Sequence, residues 1–252
     1  MSKTGPSPLY DDVGRGYAAA RRTEPRIAVV LWSRMPPAAT ILNVGAGTGS
    51  YEPPDRDVMA VEPSRTMREQ RPAEAAPCVA GVGEALPFSD GSFDVVMSVF
   101  SHWHWDDQRR GFAEMRRVAR HRVLVIALDK SVAEEFWLSR EYLPNAHALW
   151  GPFEDTLCEA LPHEVVEVAI PGDCIDGFFH AFWRRPHVYL DPDARETMAV
   201  FRRIDPEEAS RGLDELQKDL RSGAWHRCHR NLLATDSLDL GYRLLVHHCD
   251  SR

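Results

Sequence analysis

Short apolar segments with few polar interruptions recur along the first half of the chain. They occupy residues 39–44, 57–63, 92–100 and 122–129. Apolar runs that do not alternate with polar positions are typical of strands in a parallel sheet that is covered on both faces. Later in the chain, HEVVEVAI (163–170) and DLGYRLLVHH (239–248) are predicted as further strands.

Helical spacing appears between the third and fourth of these strands. Phe112, Met115 and Val118 recur every three residues, and Asp106 or Asp107 can cap the helix that they define. Strands that alternate with helices favour a doubly wound α/β sheet.

Two further helical regions flank this core. Near the N-terminus, a short helix is predicted over residues 11–22, and a second is predicted to start after a Thr23 cap, with Pro25 in its first turn. Residues 177–235 are largely helical in pattern and too long for a simple crossover. We expect them to cap the carboxyl edge of the sheet, where ligands bind in such folds.

Charge and composition exclude several function classes. The net charge is -8, so no basic footprint for nucleic acid is visible. No apolar run is long enough to span a membrane, and the N-terminus lacks the apolar core of a signal peptide. The five cysteines are scattered without a pairing pattern, which is typical of a reduced cytoplasmic protein.

A glycine loop directly follows the first strand. Gly45, Gly47 and Gly49 have the spacing GxGxG, and glycines let the backbone turn tightly and approach a ligand. Such a loop is a weak signal alone. Glu62 strengthens it, because a carboxylate at the end of the second strand can accept hydrogen bonds from both hydroxyls of a ribose.

Four motifs in order over residues 40–130 carry a family resemblance: ILNVGAGTGS, VMAVEPS, GEALPFSDGSFDVVMS and EMRRVARHRVLVI. Together they resemble the class I S-adenosylmethionine-dependent methyltransferases, in particular the ubiquinone/menaquinone C-methyltransferases and small-molecule methyltransferases of bacterial secondary metabolism. The resemblance implies a Rossmann-like α/β fold with a doubly wound seven-stranded sheet and a mostly helical cap.

The resemblance also implies a domain organisation and a cofactor site. It divides the chain into an N-terminal helical lid (1–36), a cofactor-binding core (37–176), a helical substrate cap (177–235) and a last strand with the C-terminus (236–252). The positions expected to bind S-adenosylmethionine are Tyr17, Gly45, Ala46, Gly47, Gly49, Glu62, Pro63, Gly83, Glu84 and Ser98.

Three departures from the family pattern concern this site. Asn43 stands where the family usually has an acidic residue, and Val82 stands at a position beside the adenine that is often Asp. The helix that normally follows the glycine loop is almost missing, because prolines occupy residues 53–54. We therefore expect Tyr51 and Glu52 to lie close to the cofactor, with Glu52 as a candidate catalytic carboxylate.

The stretch SHWHWDD (101–107) follows the strand whose end would face the transferable methyl group. His104 is the second catalytic candidate, as a base or as a ligand of the acceptor; the alternative is a structural histidine that bonds the backbone. Trp105 is predicted to anchor the following helix. Alternate residues of one loop supply at most two metal ligands, so no metal site is predicted.

An aromatic stretch, DCIDGFFHAFWRRPHVYLD (173–191), begins the predicted cap. Such a stretch is either core packing or the wall of an apolar pocket with a few polar groups, and residues 136–145 are a second candidate wall. The candidate acceptor-binding residues are Tyr10, Tyr51, Phe100, Trp103, Phe179, His180, Trp183 and Arg184.

The predicted function is methyl transfer from S-adenosylmethionine to an oxygen, nitrogen or carbon of a small molecule, such as an isoprenoid or another secondary metabolite. The alternatives are a cofactor-binding regulator that transfers no methyl group, and a methyltransferase fold repurposed for other chemistry. The expected partner is the small-molecule acceptor, without nucleic acid or membrane, for a monomer or homodimer.

Overall fold

The structure is a computed structural model that describes residues 21–149 and 164–249. Its centre is a seven-stranded sheet, which confirms the predicted sheet and fold class. The strands of this sheet are β1 (Thr40–Val44), β2 (Asp57–Val61), β3 (Cys78–Val79), β4 (Phe93–Val99), β5 (Ala119–Leu128), β6 (Glu164–Glu167) and β9 (Tyr242–His248). A separate two-stranded ribbon pairs β7 (Ile170–Pro171) with β8 (Ser237–Leu238).

The strand order is β3-β2-β1-β4-β5-β9-β6. All neighbours are parallel except β9, which runs antiparallel to both β5 and β6. The chain proceeds outward from β1 to β3 on one side and from β4 to β5 on the other. The switch of direction therefore falls between β1 and β4, and ligands bind at this point of an open α/β sheet.

The helices are α1 (Pro25–Trp32), α2 (Arg65–Glu69), α3 (Gln108–Val118), α4 (Lys130–Ala133), α5 (Pro192–Glu196), α6 (Ala199–Arg203), α7 (Pro206–Ser222), α8 (Ala224–Cys228) and α9 (Arg230–Leu233). Short 3-10 turns occupy His102–His104, Ala146–Leu149, Phe179–Phe182 and Pro186–Leu190, and a π-helical turn occupies Leu138–Tyr142. None of the helices in the described ranges is long and apolar enough to cross a membrane.

The two faces of the sheet pack against different layers. Leu42 lies in a core shared with Phe112 and Met115 of α3, while Ile41 lies in the larger core shared with Leu31 of α1. Burial on both faces is what the apolar, non-alternating strands predicted. The predicted helix with Phe112, Met115 and Val118 is α3, and the Asp107 carboxylate caps it by accepting the Arg110 N–H.

The start of α1 differs from the sequence-based expectation. Glu24, not Thr23, caps the helix, and its fully buried carboxylate also accepts the N–H of Ile175. The Thr23 hydroxyl instead accepts the N–H of Tyr51, 2.8 Å away. The start of α1 is thus attached both to the loop after β1 and to the segment that leads into the cap. The predicted helix over residues 11–22 falls outside the described residues, apart from its last two positions.

Residues 45–56, between β1 and β2, form turns without a helix, as the prolines predicted. The helical layer is also wider than expected, because residues 130–149 pack into it. Trp137 donates its indole N–H to the carbonyl of Trp183 and packs its ring against Tyr189 and Trp225. The limits of the cap as a domain stay a prediction.

Trp105 anchors α3 by filling the space beside two glycines. A Cβ on Gly111, inside α3, would lie 2.3 Å from Cε3 of Trp105, and one on Gly83 would lie 2.9 Å from its Cε2. The indole therefore occupies space that is open only because residues 83 and 111 have no side chain.

This packing gives a prediction with a distinctive sign. Gly111→Ala should destabilise the protein by about 1–3 kcal/mol through overpacking, although the same change in an open helix interior stabilises by about 1 kcal/mol. Urea unfolding of both proteins measures the difference. A gain in stability would show that Trp105 does not press against α3.

Candidate functional site

The glycine loop turns directly over the switch point of the sheet. The N–H groups of Gly45 and Ala46 both donate to the carbonyl of Val61, at 2.9 and 3.0 Å, so the loop is attached to the end of β2. Gly45, Gly47 and Gly49 all have positive φ, at 71°, 53° and 99°. Side chains other than glycine rarely adopt this conformation, so the loop depends on the three glycines.

Glu62 lies beneath this loop with its carboxylate almost completely buried. Its two oxygens accept the N–H groups of Gly47 (2.8 Å) and Ser64 (2.9 Å). Burial raises the pKa of Glu62, and the two N–H donors partly oppose that rise. Each carboxylate oxygen can accept a second hydrogen bond, so Glu62 keeps acceptor capacity for ribose hydroxyls. Pro63 follows it, and its carbonyl accepts from Arg68.

Ser98 ties the end of β4 to the glycine loop. The Ser101 hydroxyl donates to the carbonyl of Val44 at 3.0 Å, so Ser98 must be the donor in the 2.7 Å contact between the two hydroxyls. A Cβ on Gly45 would lie 2.4 Å from the Ser101 oxygen. Ser98 is fully buried, and its hydroxyl proton is used within the protein. Its expected direct contact with the cofactor stays a prediction.

Gly83 and Gly45 both lie beside the Trp105 indole, since a Cβ on Gly45 would lie 3.7 Å from its Nε1. Gly83 packs on Trp105, and the Glu84 carboxylate accepts the N–H of Asp107 at 3.3 Å. Trp105 thus connects Gly83 to the glycine loop, and the contacts of Gly83 and Glu84 with the cofactor stay a prediction.

A cluster of aromatic side chains, here called the aromatic cluster, lies at the ends of β1 and β4. Its members are Tyr51, Phe100, Trp103, Phe178 and Tyr242. Phe100 is central, with ring centroids 5.8 Å from Tyr51, 6.2 Å from Trp103 and 5.4 Å from both Phe178 and Tyr242. Phe100 and Trp103 are only partly buried, so the cluster presents an apolar surface beside the glycine loop.

Backbone strain marks two members of this cluster. Phe100 has a φ of 55° and Tyr51 a φ of 67°. Bulky residues in this region of φ are genuine outliers, and such strain concentrates at active sites and ligand clamps. The strained pair makes the junction of the two loops a candidate ligand site.

A buried ion pair supports the cluster from one side. Arg21 donates to Asp176 at 2.6 Å, and Asp176 also accepts the Tyr51 hydroxyl at 2.8 Å. The Arg21 guanidinium lies 5.6 Å from the centroid of the Phe100 ring, within range of a cation–π interaction. Sequence reasoning missed Arg21 and Asp176, since no local motif marks two residues that are 155 positions apart.

His104 is placed beside the cluster but is not set up as a base. Its Nε2 accepts the indole N–H of Trp103 at 2.9 Å, and a neutral imidazole that accepts at one nitrogen carries its proton on the other. Burial, and secondarily the charge of Arg203, lower the pKa of His104 to about 4. His104 is therefore neutral at pH 7, and because Nε2 already accepts the Trp103 N–H it is poorly placed to take up a proton.

Glu52, the other catalytic candidate, is already engaged. Both of its oxygens accept from Arg71, at 2.9 and 2.8 Å, and Oε1 also accepts from Asn43 at 3.1 Å. The Glu52 and Arg71 side chains are only 8% and 5% exposed. A buried carboxylate paired in this way is not available as a base, which argues against the expected catalytic role.

The cap residues proposed for the acceptor are mostly core residues. His180 bonds the Tyr242 hydroxyl through Nδ1 at 2.9 Å, and Phe179 packs beside it against Phe136. Trp183 is fully buried and donates to the β7 carbonyls. Arg184 donates to the carbonyl of Thr235, just before β8. Trp183 and Arg184 thus attach the cap to the β7–β8 ribbon, which argues against acceptor contact.

Two remaining points concern the predicted tyrosines of the N-terminal region and the question of metal ligands. Tyr10 and Tyr17 lie outside the described residues. Within 21–149 and 164–249, no three His, Cys, Asp or Glu side chains converge as metal ligands.

Comparisons with known proteins agree with the fold. The family model described as a methyltransferase domain matches residues 42–127, from β1 to β5. A demethylmenaquinone methyltransferase of Renibacterium salmoninarum is 28% identical over 64% of this chain and 67% of its own length. A malonyl-[acyl-carrier protein] O-methyltransferase of Herminiimonas arsenicoxydans is 32% identical over 42% of this chain and 43% of its own.

One solved structure resembles nearly the whole chain. It is an Anabaena variabilis protein described as a methyltransferase from an antibiotic biosynthesis pathway, with a TM-score of 0.83 and 28% identity. The match covers 90% of this chain and 98% of that one. The likeness therefore extends beyond the sheet into the helical layer.

The Glu62 geometry predicts a loss of cofactor affinity. Glu62→Ala should weaken S-adenosylmethionine binding about 10- to 100-fold, because hydrogen bonds to a charged group contribute about 1.5–3 kcal/mol. Calorimetry measures this, with the exposed Glu69→Ala as the matched control. Wild-type binding should also weaken on acidification, at a higher pH than for an ordinary glutamate, because the pKa of Glu62 is raised. Unchanged binding by Glu62→Ala would exclude its role.

The buried histidines predict a pH-dependent stability. Burial lowers the pKa of His102 to about 3 from 6.5, so below pH 6.5 the unfolded chain takes up a proton that the folded state refuses. The free energy of unfolding should therefore decrease as the pH is lowered from about 6.5 to about 3, by up to about 1.4 kcal/mol per pH unit for this group. Urea unfolding at pH 7 and 5 tests this, and His102→Leu should show a shallower loss. An equal loss in both proteins would contradict the assignment.

Proposed function

The chain belongs to the class I S-adenosylmethionine-dependent methyltransferases, and on that premise we propose that it methylates a small molecule held against the aromatic cluster. Its cofactor is S-adenosylmethionine. The observation that carries the proposal is the position of the cluster, which lies at the ends of β1 and β4 and beside the glycine loop. The nucleophile would then approach the methyl group from the side of Phe100.

The transfer itself is a direct displacement. The lone pair of the acceptor forms a bond to the methyl carbon, the carbon–sulfur bond breaks, and its electron pair stays on sulfur as S-adenosylhomocysteine forms. The sulfonium is already activated, so the protein mainly has to align the reactants and exclude water. The partly buried faces of Phe100 and Trp103 supply an apolar surface for that purpose, and aromatic faces also attract a cation.

The charges around the cluster bear on the kind of nucleophile. Asp176 is occupied by Arg21 and Tyr51, and His104 is neutral and accepts from Trp103. Burial raises the pKa of the Tyr51 hydroxyl far above neutrality, so no phenolate forms there. These groups favour an acceptor that presents a lone pair or an anion by itself, such as a neutral amine, an enolate or an acidic phenol.

The names of the relatives suggest acceptors for a first screen. One relative acts on demethylmenaquinone and another on a malonyl thioester of acyl-carrier protein. The reduced quinol of the first has phenolic hydroxyls and the malonyl group of the second has a carboxyl group, so both can present an anion. This agrees with a site in which Glu52, Asp176 and His104 already have other partners. The net charge of -8 supports a small molecule over a nucleic acid as acceptor.

A labelled-methyl assay tests the proposal. S-adenosylmethionine with an isotopically labelled methyl group is incubated with the protein and with pooled metabolites, quinols and malonyl thioesters, and the products are resolved by mass spectrometry. The expected result is a labelled small molecule together with S-adenosylhomocysteine. Tight cofactor binding without any labelled product over these panels would instead favour the regulator or the repurposed enzyme.

A pair of variants then locates the acceptor. With an acceptor found in that assay, Phe100→Leu should lower kcat/KM for it by about tenfold or more, since it removes ring contacts of roughly 1–1.5 kcal/mol or more. The affinity for S-adenosylmethionine should remain. Phe88→Leu, in a ring pair outside the cluster, is the matched control. Equal effects of the two changes would place the acceptor elsewhere.

His104 has a separate test. His104→Ala should lower acceptor turnover and keep cofactor affinity, while the exposed His226→Ala changes neither. Because the pKa of His104 is about 4, its protonation should not affect the rate near pH 6.5. The pH–rate profiles of the wild type and of His104→Ala should therefore have the same shape in that range. Unchanged turnover in His104→Ala would remove this residue from the site.

A further inference from the structure

The glycine loop of this protein lacks the support that parallel crossovers usually supply. Parallel neighbours in a sheet are normally joined by a helix that packs back onto the strands, but residues 45–56 form only turns. The loop also contains three glycines with positive φ. Glycine has high conformational freedom in the unfolded chain, so ordering this loop costs more entropy than ordering other residues. Something other than a crossover helix must hold it.

Arg71, two residues beyond the end of α2, contacts the glycine loop where this support is missing. Its Nη2 donates to both oxygens of Glu52 and to the carbonyl of Ala76, at 2.8–2.9 Å, and its Nη1 donates to the carbonyl of Gly47 at 3.3 Å. A Cβ on Gly49 would lie 3.2 Å from Glu52 and 3.3 Å from Arg71. The ion pair is therefore packed directly against the loop.

Gly47 is held from two sides as a result. Its N–H donates to Glu62, the candidate ribose ligand, and its carbonyl accepts from Arg71. A shift of the Gly47 peptide would move a hydrogen-bond partner of Glu62 and the loop that faces the cofactor. The conformation of the cofactor site is in this way coupled to the ion pair.

Asn43 fits the same arrangement. Its side-chain amide donates to Glu52 at 3.1 Å, and the residue is 2% exposed. An acidic residue here would set a second buried carboxylate against Glu52, and like charges at such a distance strongly disfavour each other. The Asn43 amide instead supplies Glu52 with a further hydrogen-bond donor.

We propose that Arg71 and Glu52 are positioning residues: their buried ion pair replaces the crossover helix and holds the glycine loop in the conformation that binds S-adenosylmethionine. Arg71 suits the task because its planar fork of donors reaches the carboxylate and two carbonyls together, whereas a lysine presents one compact charge. Neither residue touches the reacting atoms in this assignment.

Stability and positioning can be separated experimentally. Removing one partner of a buried ion pair leaves an unpaired charge and destabilises strongly, while replacing both by apolar residues is often neutral or stabilising. If the pair is merely structural, the double replacement should therefore restore both stability and S-adenosylmethionine affinity. If the pair positions the loop, the affinity should stay low, because the Gly47 carbonyl would still lack its donor.

The test measures S-adenosylmethionine affinity by calorimetry and stability by urea unfolding for Arg71→Met, Glu52→Met and the double variant. We expect both single changes to lose stability, and the double variant to regain most of it while binding S-adenosylmethionine at least about tenfold more weakly than the wild type. Arg65→Met, in an exposed pair on α2, is the matched control and should bind normally.

Two conservative variants keep the test decisive if the apolar changes prevent folding. Arg71→Lys retains the charge but not the fork, and Asn43→Asp adds a like charge beside Glu52; both should fold and bind the cofactor several-fold more weakly. Binding within twofold of the wild type in Arg71→Lys and, where it folds, in the double variant would overturn the proposal. If Arg65→Met weakened binding as much as Arg71→Lys, the specific role of Arg71 would also be overturned.

Discussion

The close approach of the glycine loop to the ends of β2 and β4 is the constraint on which the site depends. Two backbone N–H groups of the loop donate to the carbonyl of Val61, and the space between Gly45 and Ser101 is too small for a side chain on residue 45. Any larger residue at position 45 would separate β1 from the loop after β4. Because β1 and β4 flank the switch point, this contact decides where a cofactor and an acceptor can meet.

Charges around this contact are buried, but each has a partner. Glu62 is held by backbone N–H groups, Glu52 by Arg71 and Asp176 by Arg21. Groups held in this way need no reorganisation when a cation binds or its charge moves. The surface proposed for the acceptor is aromatic, which suits a reaction that starts from a sulfonium and requires water to be excluded.

Features that local patterns encode were predictable. The strands, α3 with its Asp107 cap, the glycine loop and Glu62 each depend on residues close together in the chain, so spacing alone indicates them. The absence of a helix after the loop followed from two adjacent prolines. Thr23 was misassigned as a cap because its neighbour Glu24 offers a competing carboxylate, and only the fold shows that Ile175 lies within reach of it.

Assignments within the aromatic stretch show where such reasoning stops. Phe178 and Trp183 are five residues apart, yet one joins the cluster beside the site and the other is buried against β7. Both are large and aromatic, so their identity carries no information about which surface each will meet. The same holds for Glu52, whose carboxylate suits catalysis by its chemistry but is paired with Arg71 in the fold.

By itself, therefore, the sequence determined the sheet, the glycine loop and the family of the cofactor site, because each of these is written in short-range spacing and backbone requirements. Only the tertiary structure decided which charged side chains pair across the site and which aromatic residues join the aromatic cluster. Arg21 and Asp176 are 155 positions apart, and Arg71 and Glu52 are 19 apart. Pairs of this kind form when packing brings distant segments together, and no local pattern records them.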